Sequence, residues 1–351
     1  MARLTRAQQQ ERTRASVLEA ARAEFTERGY AAAKVDGIAE RAELTRGAVY
    51  SNFPSKRALY LAVLATEADS GRTDDQAPAS PPSPAEALGA FARTWFDRPR
   101  PLAGVLDDEP LRIAYGQLAR LESLLLALAL ESYGKDTRQV RRAALALRLL
   151  EGPGASVDPA LGLGDPFDIA AACAQLAGLD LADTWDPPHL PHTKPAQSCR
   201  DAWTPPEHLP DLITGRAVGF AGDGVLAVLG SSRLEAAEEA VRATRAGDQV
   251  TVAVVTAAPD EIGRLVRVRI AGLARCLRRV FAPDALPRLR VVLDDGGLLA
   301  AAAGIADADD ATEAAVRIGP GRITARAQGR GAAHAAAAAQ PARGISRKAA
   351  L

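Results

Sequence analysis

One short stretch of the chain carries side chains that suit hydrogen bonding to a nucleic acid. Its useful groups are hydroxyls, an amide, a guanidinium and an unhindered glycine backbone, found at Thr45, Arg46, Gly47, Tyr50, Ser51 and Asn52. Such groups can reach base edges in a DNA groove or phosphate oxygens along it. The stretch is therefore the first candidate for a functional site.

Local signals place this stretch on the third of four short helices. Residues 12–28 have a helical apolar pattern, and Gly29 suits the left-handed residue that ends such a helix. Residues 35–41 form a second helix, and a tight turn leads to Thr45, a good N-cap for a third helix through Asn52. Ser55 then caps a fourth helix from Lys56 to about Glu67, with Leu59, Val63 and Leu64 as its apolar stripe.

Two short helices joined by a tight turn are typical of a unit that places its second helix in a DNA major groove. We predict base-edge contacts from Thr45, Arg46 and Ser51, and phosphate contacts from Lys34, Tyr50, Lys56 and helix N-terminal amides. Arg46 could serve a base or a phosphate equally well. The complete predicted DNA-binding set is Lys34, Thr45, Arg46, Gly47, Ala48, Tyr50, Ser51, Asn52 and Lys56.

Residues 12–66 resemble the DNA-binding domain of TetR-family transcriptional regulators. The resemblance is carried by the segments AARAEF (20–25), ERGY (27–30), DGIA (36–39), TRGAVY (45–50) and NFPSK (52–56). It implies a homodimer on a palindromic double-stranded DNA operator, with a helical carboxy-terminal domain that usually binds a small-molecule effector. Lys34 departs from the family pattern, because a Ser or Thr is common there, so the cap of the second helix is expected to be lost.

The charge distribution agrees with a DNA-binding amino-terminal domain. The chain of 351 residues has no net charge, which excludes a histone-like basic chain and an acidic disordered one. Residues 1–60 nevertheless contain eleven Lys and Arg against seven Asp and Glu, a net charge of +4. This region, with a predicted boundary at residue 72, is called the head below, and its charge favours a polyanionic partner.

Two Pro-rich stretches divide the rest of the chain. Residues 77–84 follow the head, and residues 185–211 form a second predicted linker with seven prolines and neither a helical nor a strand period. Between them, residues 84–184 have a helical pattern rich in leucine, called the helical region below. We expect it to bury apolar surface within itself or against a second chain, and the family resemblance makes it the dimerisation and effector-binding domain.

After residue 212 the pattern changes to strands alternating with helices, called the α/β region below. Strands are predicted at 217–220, 225–229, 250–255 and 289–293, helices at 234–245 and 261–281, and a final hairpin at 315–318 and 323–327. This order resembles a thioredoxin-like or peroxiredoxin-like domain over residues 212–340. The strand-to-helix junction at 230–235 has no cysteine, and Thr312-Glu313-Ala314 stands where such folds carry a cis-proline.

The sequence predicts a regulator rather than an enzyme. No nucleophile–base–acid set is apparent, and we expect no catalytic residue, cofactor or metal. Asp186, His189, His192, Cys199 and His208 lie in the Pro-rich linker, which offers no rigid metal-binding frame. The alternatives are a thiol-redox enzyme using the α/β region and a redox-sensing regulator using Cys199 or Cys276, although Cys276 has the pattern of a buried residue.

The fold class is therefore predicted to be multidomain, with an all-α TetR-type head and helical region followed by an α/β thioredoxin-like domain. A disordered basic tail is expected over residues 341–351. The N-terminus lacks the apolar segment of a secretory signal, and the chain has no run of 18 apolar residues. We therefore expect a cytoplasmic protein rather than a secreted or membrane protein. The most specific prediction is a ligand-responsive repressor that binds DNA as a homodimer.

Overall fold

The computed structural model describes residues 5–70, 79–96, 102, 104–134, 138–151 and 165–339, without the side chains of residues 69 and 70. In the head, the helices are α1 (Arg6–Ala32), α2 (Val35–Arg41), α3 (Arg46–Asn52) and α4 (Lys56–Ser70). The helical region contains α5 (Pro84–Phe96), α6 (Glu109–Leu130), α7 (Val140–Glu151) and α8 (Pro166–Gln175). The four helices predicted in the head are present in their predicted order, and the described part of residues 84–184 is mostly helical, as its pattern predicted.

A mixed sheet dominates the carboxy-terminal half. Its strands are β1 (Gln197–Ala202), β4 (Gly224–Gly230), β5 (Gln249–Val255), β6 (Leu289–Leu293), β7 (Glu313–Gly319) and β8 (Arg322–Gln328), in the order β1-β8-β7-β4-β5-β6. Strands β4, β5 and β6 are parallel, whereas β7 pairs antiparallel with β4 and β8. A separate pair joins β2 (Leu209–Pro210) to β3 (Ala217–Val218).

Helices connect or follow the strands of this sheet. They are α9 (Ala236–Ala243), α10 (Arg264–Val280), α11 (Leu298–Ala302) and α12 (Ala332–Ala338), and a π-helical turn over Pro259–Gly263 precedes α10. The predicted alternation of strands and helices in the α/β region is confirmed. One face of the sheet joins the main core through Leu229, Val252 and Val254, while Val228 and Val255 belong to a second core cluster on the other face.

Helix α10 packs against all the other parts of the molecule. It contacts α4 of the head and both α5 and α6 of the helical region. Eleven of its 17 residues are buried, and nine of these belong to the core cluster that also contains Val252 and Val254 of β5. The amphipathic pattern of residues 261–281 predicted a helix with one apolar face. In the structure, this helix is covered on more than one side.

Helix α4 is buried more completely than its sequence predicted. Leu59, Val63 and Leu64 form the expected apolar stripe, but every residue from 58 to 65 is buried. The cause is that α4 lies between α1 and α10 and contacts both. The head and the α/β region therefore share packed surface, which a helix-by-helix analysis of the sequence does not reveal.

The expectation that residues 185–211 lack strand structure is wrong. Within this stretch, β1 pairs antiparallel with β8 at the edge of the sheet. Its pattern carried no signal, because five of its six residues are exposed and only Cys199 is half-buried. Backbone pairing with β8, rather than burial of an alternating face, holds this strand. The predicted tail over residues 341–351 lies outside the described residues.

Helix α6 is both long and rich in leucine. Residues 109–133 are long and apolar enough to cross a membrane by composition, but 61% of the most apolar window is buried inside the protein. Leu118, Leu121 and Leu125 are each at most 1% exposed and belong to the main core. Residues 124–130 are thus part of a core helix, as their pattern predicted.

A buried ion cluster joins α10 to the helical region. Arg269 is only 4% exposed, and it forms ion pairs with Glu122 of α6 and Glu151 of α7. Its guanidinium also lies 4.6 Å from the centre of the Tyr115 ring. Burial alone would lower the pKa of Arg269, but the charges of Glu122 and Glu151 raise it. The cluster is stable only while both signs of charge are present.

We expect Arg269→Ala to lower the free energy of unfolding by about 3–5 kcal/mol, because Glu122 would keep a buried charge without its partner. Urea denaturation of the full chain measures this loss. The matched control is Arg120→Ala on the same α6–α/β boundary, since the Arg120 side chain is 65% exposed and its pairing with Glu235 contributes little. Equal losses in the two variants would show that the Arg269 cluster does not stabilise the fold.

Candidate nucleic-acid interface

A buried carboxylate positions the first two elements of the head. Glu24 of α1 is 2% exposed and pairs with Arg28 and Arg41 at 3.1 Å each. It also accepts a hydrogen bond from the backbone N–H of Lys34 at 3.4 Å. A Cβ atom at Gly37 would stand 3.0 Å from the Glu24 carboxylate, so a glycine at this position lets α2 approach α1. Glu24 lies within the segment AARAEF (20–25), whose pattern gives no sign of this role.

Helix α3 begins and ends where its sequence predicted. Thr45 is the N-cap, and its side chain accepts a hydrogen bond from the N–H of Ala48 at 3.2 Å. Phe53, in an extended conformation, ends the helix. Val49 and Phe53, one turn apart, are 1% and 0% exposed and anchor the helix in the core of the head. The opposite side of α3 is left facing solvent.

The solvent side of α3 carries the predicted contact residues. Thr45, Arg46, Gly47, Tyr50 and Ser51 are exposed, and Ala48 and Asn52 are half-buried. The structure therefore brings seven of the nine predicted residues together on one short helix and its cap. This face has the hydroxyl, amide and guanidinium groups that base edges and phosphates require.

Several of these groups are held by partners within the head. The Arg46 guanidinium lies 3.4 Å from the Asp36 carboxylate of α2 and 5.5 Å from the centre of the Tyr50 ring. The Ser51 hydroxyl and the Asn52 amide both donate to the carbonyl of Ala48, at 2.8 and 2.9 Å. Arg46 is thus held by an exposed ion pair, whereas Ser51 and Asn52 are bonded to the backbone of their own helix.

The two predicted lysines differ in their surroundings. Lys34 is exposed at the start of α2 and makes no side-chain cap, so the expected loss of this cap is confirmed. Lys56 donates to the carbonyl of Ala31 at 3.2 Å and lies over the ring of Tyr30 at 4.8 Å. Partial burial lowers the pKa of Lys56. Lys34 is therefore the freer of the two charges.

The end of α3 is fixed to the α/β region. Ser55, immediately before α4, donates to the Glu261 carboxylate at 2.5 Å, and Arg57 donates to the same carboxylate at 2.8 Å. Arg57 also pairs with Asp108 at 2.6 Å, at the start of α6. One arginine of the head therefore contacts both other regions. No pattern in the sequence connects residues this far apart.

Redox chemistry would depend on the junction after β4 and on the cysteines, and none of these positions lies on the exposed face of α3. Ser231 follows β4, where a redox fold would carry its cysteine, and donates to Asp310 at 2.7 Å. Cys276 is 2% exposed, as predicted, and Cys199 is half-buried on β1. Burial raises the pKa of Cys173 to about 11. Buried thiols with raised pKa values are poor nucleophiles.

Two of the residues weighed as metal ligands, His189 and Cys199, contact other groups of the protein. His189 lies 2.8 Å from the Glu239 carboxylate of α9, and the Cys199 thiol lies 3.5 Å from the carbonyl of Ile323. Within the described ranges, no group of three His, Cys, Asp or Glu side chains could hold a metal ion.

Residues 17–63 match the family model described as "Bacterial regulatory proteins, tetR family". The match covers α2, α3 and most of α1 and α4, the elements that build the exposed face described above. It supports a DNA-binding transcriptional regulator of the TetR family with an amino-terminal helix-turn-helix. No curated protein matches the chain.

We expect Thr45→Ala to lower the free energy of unfolding by about 1 kcal/mol, because the N–H of Ala48 would lose its acceptor. Thr45→Ser is the matched control, since it keeps the hydroxyl that caps α3. Chemical denaturation of both variants measures the difference. A Ser variant as unstable as the Ala variant would contradict a capping role for the hydroxyl.

Proposed function

We propose that the chain is a ligand-responsive repressor of the TetR type, acting as a homodimer on a palindromic DNA operator. The observation that carries this proposal is the exposed polar face of α3, with Thr45, Arg46 and Tyr50 outward and Val49 and Phe53 buried behind it. The family match over residues 17–63 supports the same conclusion. Helix α3 is the recognition helix of this proposal.

On DNA, the recognition helix enters the major groove with its amino-terminal end toward the bases. Thr45, Arg46 and Ser51 contact base edges, and Lys34, Tyr50 and Lys56 contact phosphates, with Asn52 beside them. Gly47 presents its backbone N–H group without a bulky side chain, as phosphate contact at a helix start requires. The N–H of Ala48 is already donated to the Thr45 hydroxyl, so Ala48 contributes a small side chain that lets the DNA approach. Arg46 leaves Asp36, an exposed partner that stabilises it little.

A homodimer is supported by apolar side chains left exposed on the helical region. Leu145 and Leu149, one turn apart on α7, are 39% and 43% exposed, and Phe167 at the start of α8 is 74% exposed. Their neighbours Leu147 and Leu150 are buried in the core. In the homodimer, the exposed side chains of one copy pack against those of the other, which places two recognition helices about 34–36 Å apart on the operator.

We further propose that the α/β region is an inactive thioredoxin-like domain, with domain boundaries at residues 72, 84–184 and 212–340. The parallel β4-α9-β5-α10-β6 unit followed by the β7–β8 hairpin and α12 supports this assignment. Serine at position 231 and the burial of Cys276 weigh against the alternatives of a thiol-redox enzyme and a redox sensor. In this proposal, the α/β region is a non-enzymatic scaffold against which the head packs.

The direct test is selection of genomic DNA fragments by the purified full chain, followed by titration of the enriched sequence. A palindromic site bound by two copies is expected, with an affinity that falls steeply as salt increases. Absence of duplex binding at low salt would overturn the proposed function.

On the selected operator, we expect Lys34→Ala to weaken binding to all duplexes alike and to reduce the salt slope by about one. Arg46→Ala should also relax the preference for the operator over a scrambled duplex, because a base contact carries sequence information. Fluorescence anisotropy at several salt concentrations measures both. Arg200→Ala, an exposed arginine of β1 outside the head, is the control. An unchanged preference in Arg46→Ala would reassign Arg46 to a phosphate.

For the dimer, we expect Leu145→Glu combined with Leu149→Glu to convert the protein to a monomer, because each interface would bury charges without partners. Sedimentation velocity measures the mass, and operator binding should weaken with it. Leu298→Glu is the matched control, since Leu298 on α11 is equally apolar and 60% exposed. A double variant that stays dimeric would exclude this face as the interface.

A further inference from the structure

A cavity of about 650 Å³ lies between the head and the α/β region. Its walls come from α1, α4, the turn before α10, the start of α10 and the end of β6. Its lining includes Pro259 and Leu293, next to the carboxyl ends of the parallel strands β5 and β6. Open α/β sheets bind ligands outside this end of their strands. A space of this volume holds a metabolite-sized molecule.

The cavity is charged on both sides, with three arginines and three carboxylates in its lining: Glu11, Arg14, Asp260, Arg264, Arg267 and Asp295. Arg264 pairs with Asp260, and Arg267 lies 3.8 Å from Asp295. Among the described residues, no carboxylate lies within ion-pair distance of Arg14. One guanidinium at the cavity is therefore left without a counter-charge.

The positive charge of Arg264 interacts with that of Arg14 as well as with its carboxylate partner Asp260. Burial lowers the pKa of Arg264, and the nearby charge of Arg14 lowers it further, although Asp260 opposes both effects. Burial raises the pKa of Asp295, although the charges of Arg267 and Arg264 oppose this effect. Two guanidinium groups close enough for their charges to repel each other suit an incoming oxyanion.

The same arginines hold the end of the recognition helix. Arg14 donates to the carbonyl of Asn52, the last residue of α3, at 3.4 Å, and lies 4.6 Å from the centre of the Phe53 ring. Arg264 lies 5.5 Å from that ring and donates to the carbonyl of Ala58 at 2.7 Å. Phe53 itself is fully buried. A change at the cavity thus reaches α3 through direct contacts.

We propose that this cavity binds a small molecule bearing a carboxylate or phosphate group, held by Arg14, Arg264 and Arg267, and that binding shifts α3 and weakens the hold on DNA. The effector site then lies between the head and the α/β region, not within residues 84–184. The effect on DNA rests on the proposed function, whereas ligand binding does not. An oxyanion competes with the Phe53 ring and the Asn52 and Ala58 carbonyls for the same guanidinium groups.

The first experiment is calorimetric titration of the full chain with citrate and, separately, inorganic phosphate, in a buffer free of other oxyanions. At least one probe is expected to bind at one site per chain, and which one binds distinguishes a carboxylate from a phosphate ligand. Arg14→Gln combined with Arg267→Gln should weaken that binding at least about tenfold. Arg12→Gln, an exposed arginine of α1 outside the lining, should leave it unchanged.

A second double variant distinguishes loss of the binding site from loss of the fold. Arg14→Lys combined with Arg267→Lys keeps the charges but not the planar forks, so it should restore part of the affinity that the Gln pair loses. Binding of neither probe at up to about 10 mM, or equal binding in wild type and the folded Gln pair, would overturn the site.

The second experiment measures operator binding with and without the probe that binds. Its presence should weaken operator affinity, and by linkage the operator should weaken probe affinity by the same factor. Probe binding with unchanged operator affinity would overturn the coupling through Phe53. Loss of operator binding in the probe-free protein would contradict the proposed function and leave the calorimetric result standing.

Discussion

Helix α10 is the element on which the packing of the other regions depends. It belongs to the α/β region by connectivity, but it contacts α4, α5 and α6 of the two helical regions. A helix in this position must present apolar residues on several sides and still hold its one deeply buried cation, Arg269, against Glu122 and Glu151. The position of α10 is therefore fixed by packing and by charge together, because a shift of this helix would break an ion cluster as well as apolar contacts.

Because α10 contacts α4, the head is packed together with the α/β region. A small helix-turn-helix unit usually packs its helices only against one another and leaves their outer sides to solvent. Here α4 is buried from residue 58 to 65 because α10 covers its outer side. Polar contacts follow the same boundary, with Glu261 receiving hydrogen bonds from Ser55 and Arg57. Helix α3 is thereby placed relative to the sheet by contacts three and five residues beyond its end.

The elements that the sequence predicted well are those with local signals. The cap at Thr45, the stop at Phe53 and the apolar pattern of α10 are determined by neighbouring residues, and all three are present. Strand β1 was missed because an exposed edge strand needs no apolar alternation. The start of α1 at Arg6 was missed because its first turns are exposed and have no apolar face, and a capping box between Thr5 and Gln8 begins the helix. The cavity joins residues more than 200 positions apart, which no local pattern encodes.

The two-sided burial of α4 has a consequence for how this protein can change over time. In a modular regulator, recombination can exchange the DNA-binding unit between chains because few contacts cross the boundary. Here, a head moved to another chain would expose the apolar face of α4 that α10 covers. It would also lose its hydrogen bonds to the Glu261 carboxylate. The first 70 residues and helix α10 must therefore be inherited together, and substitutions in one constrain those that the other can accept.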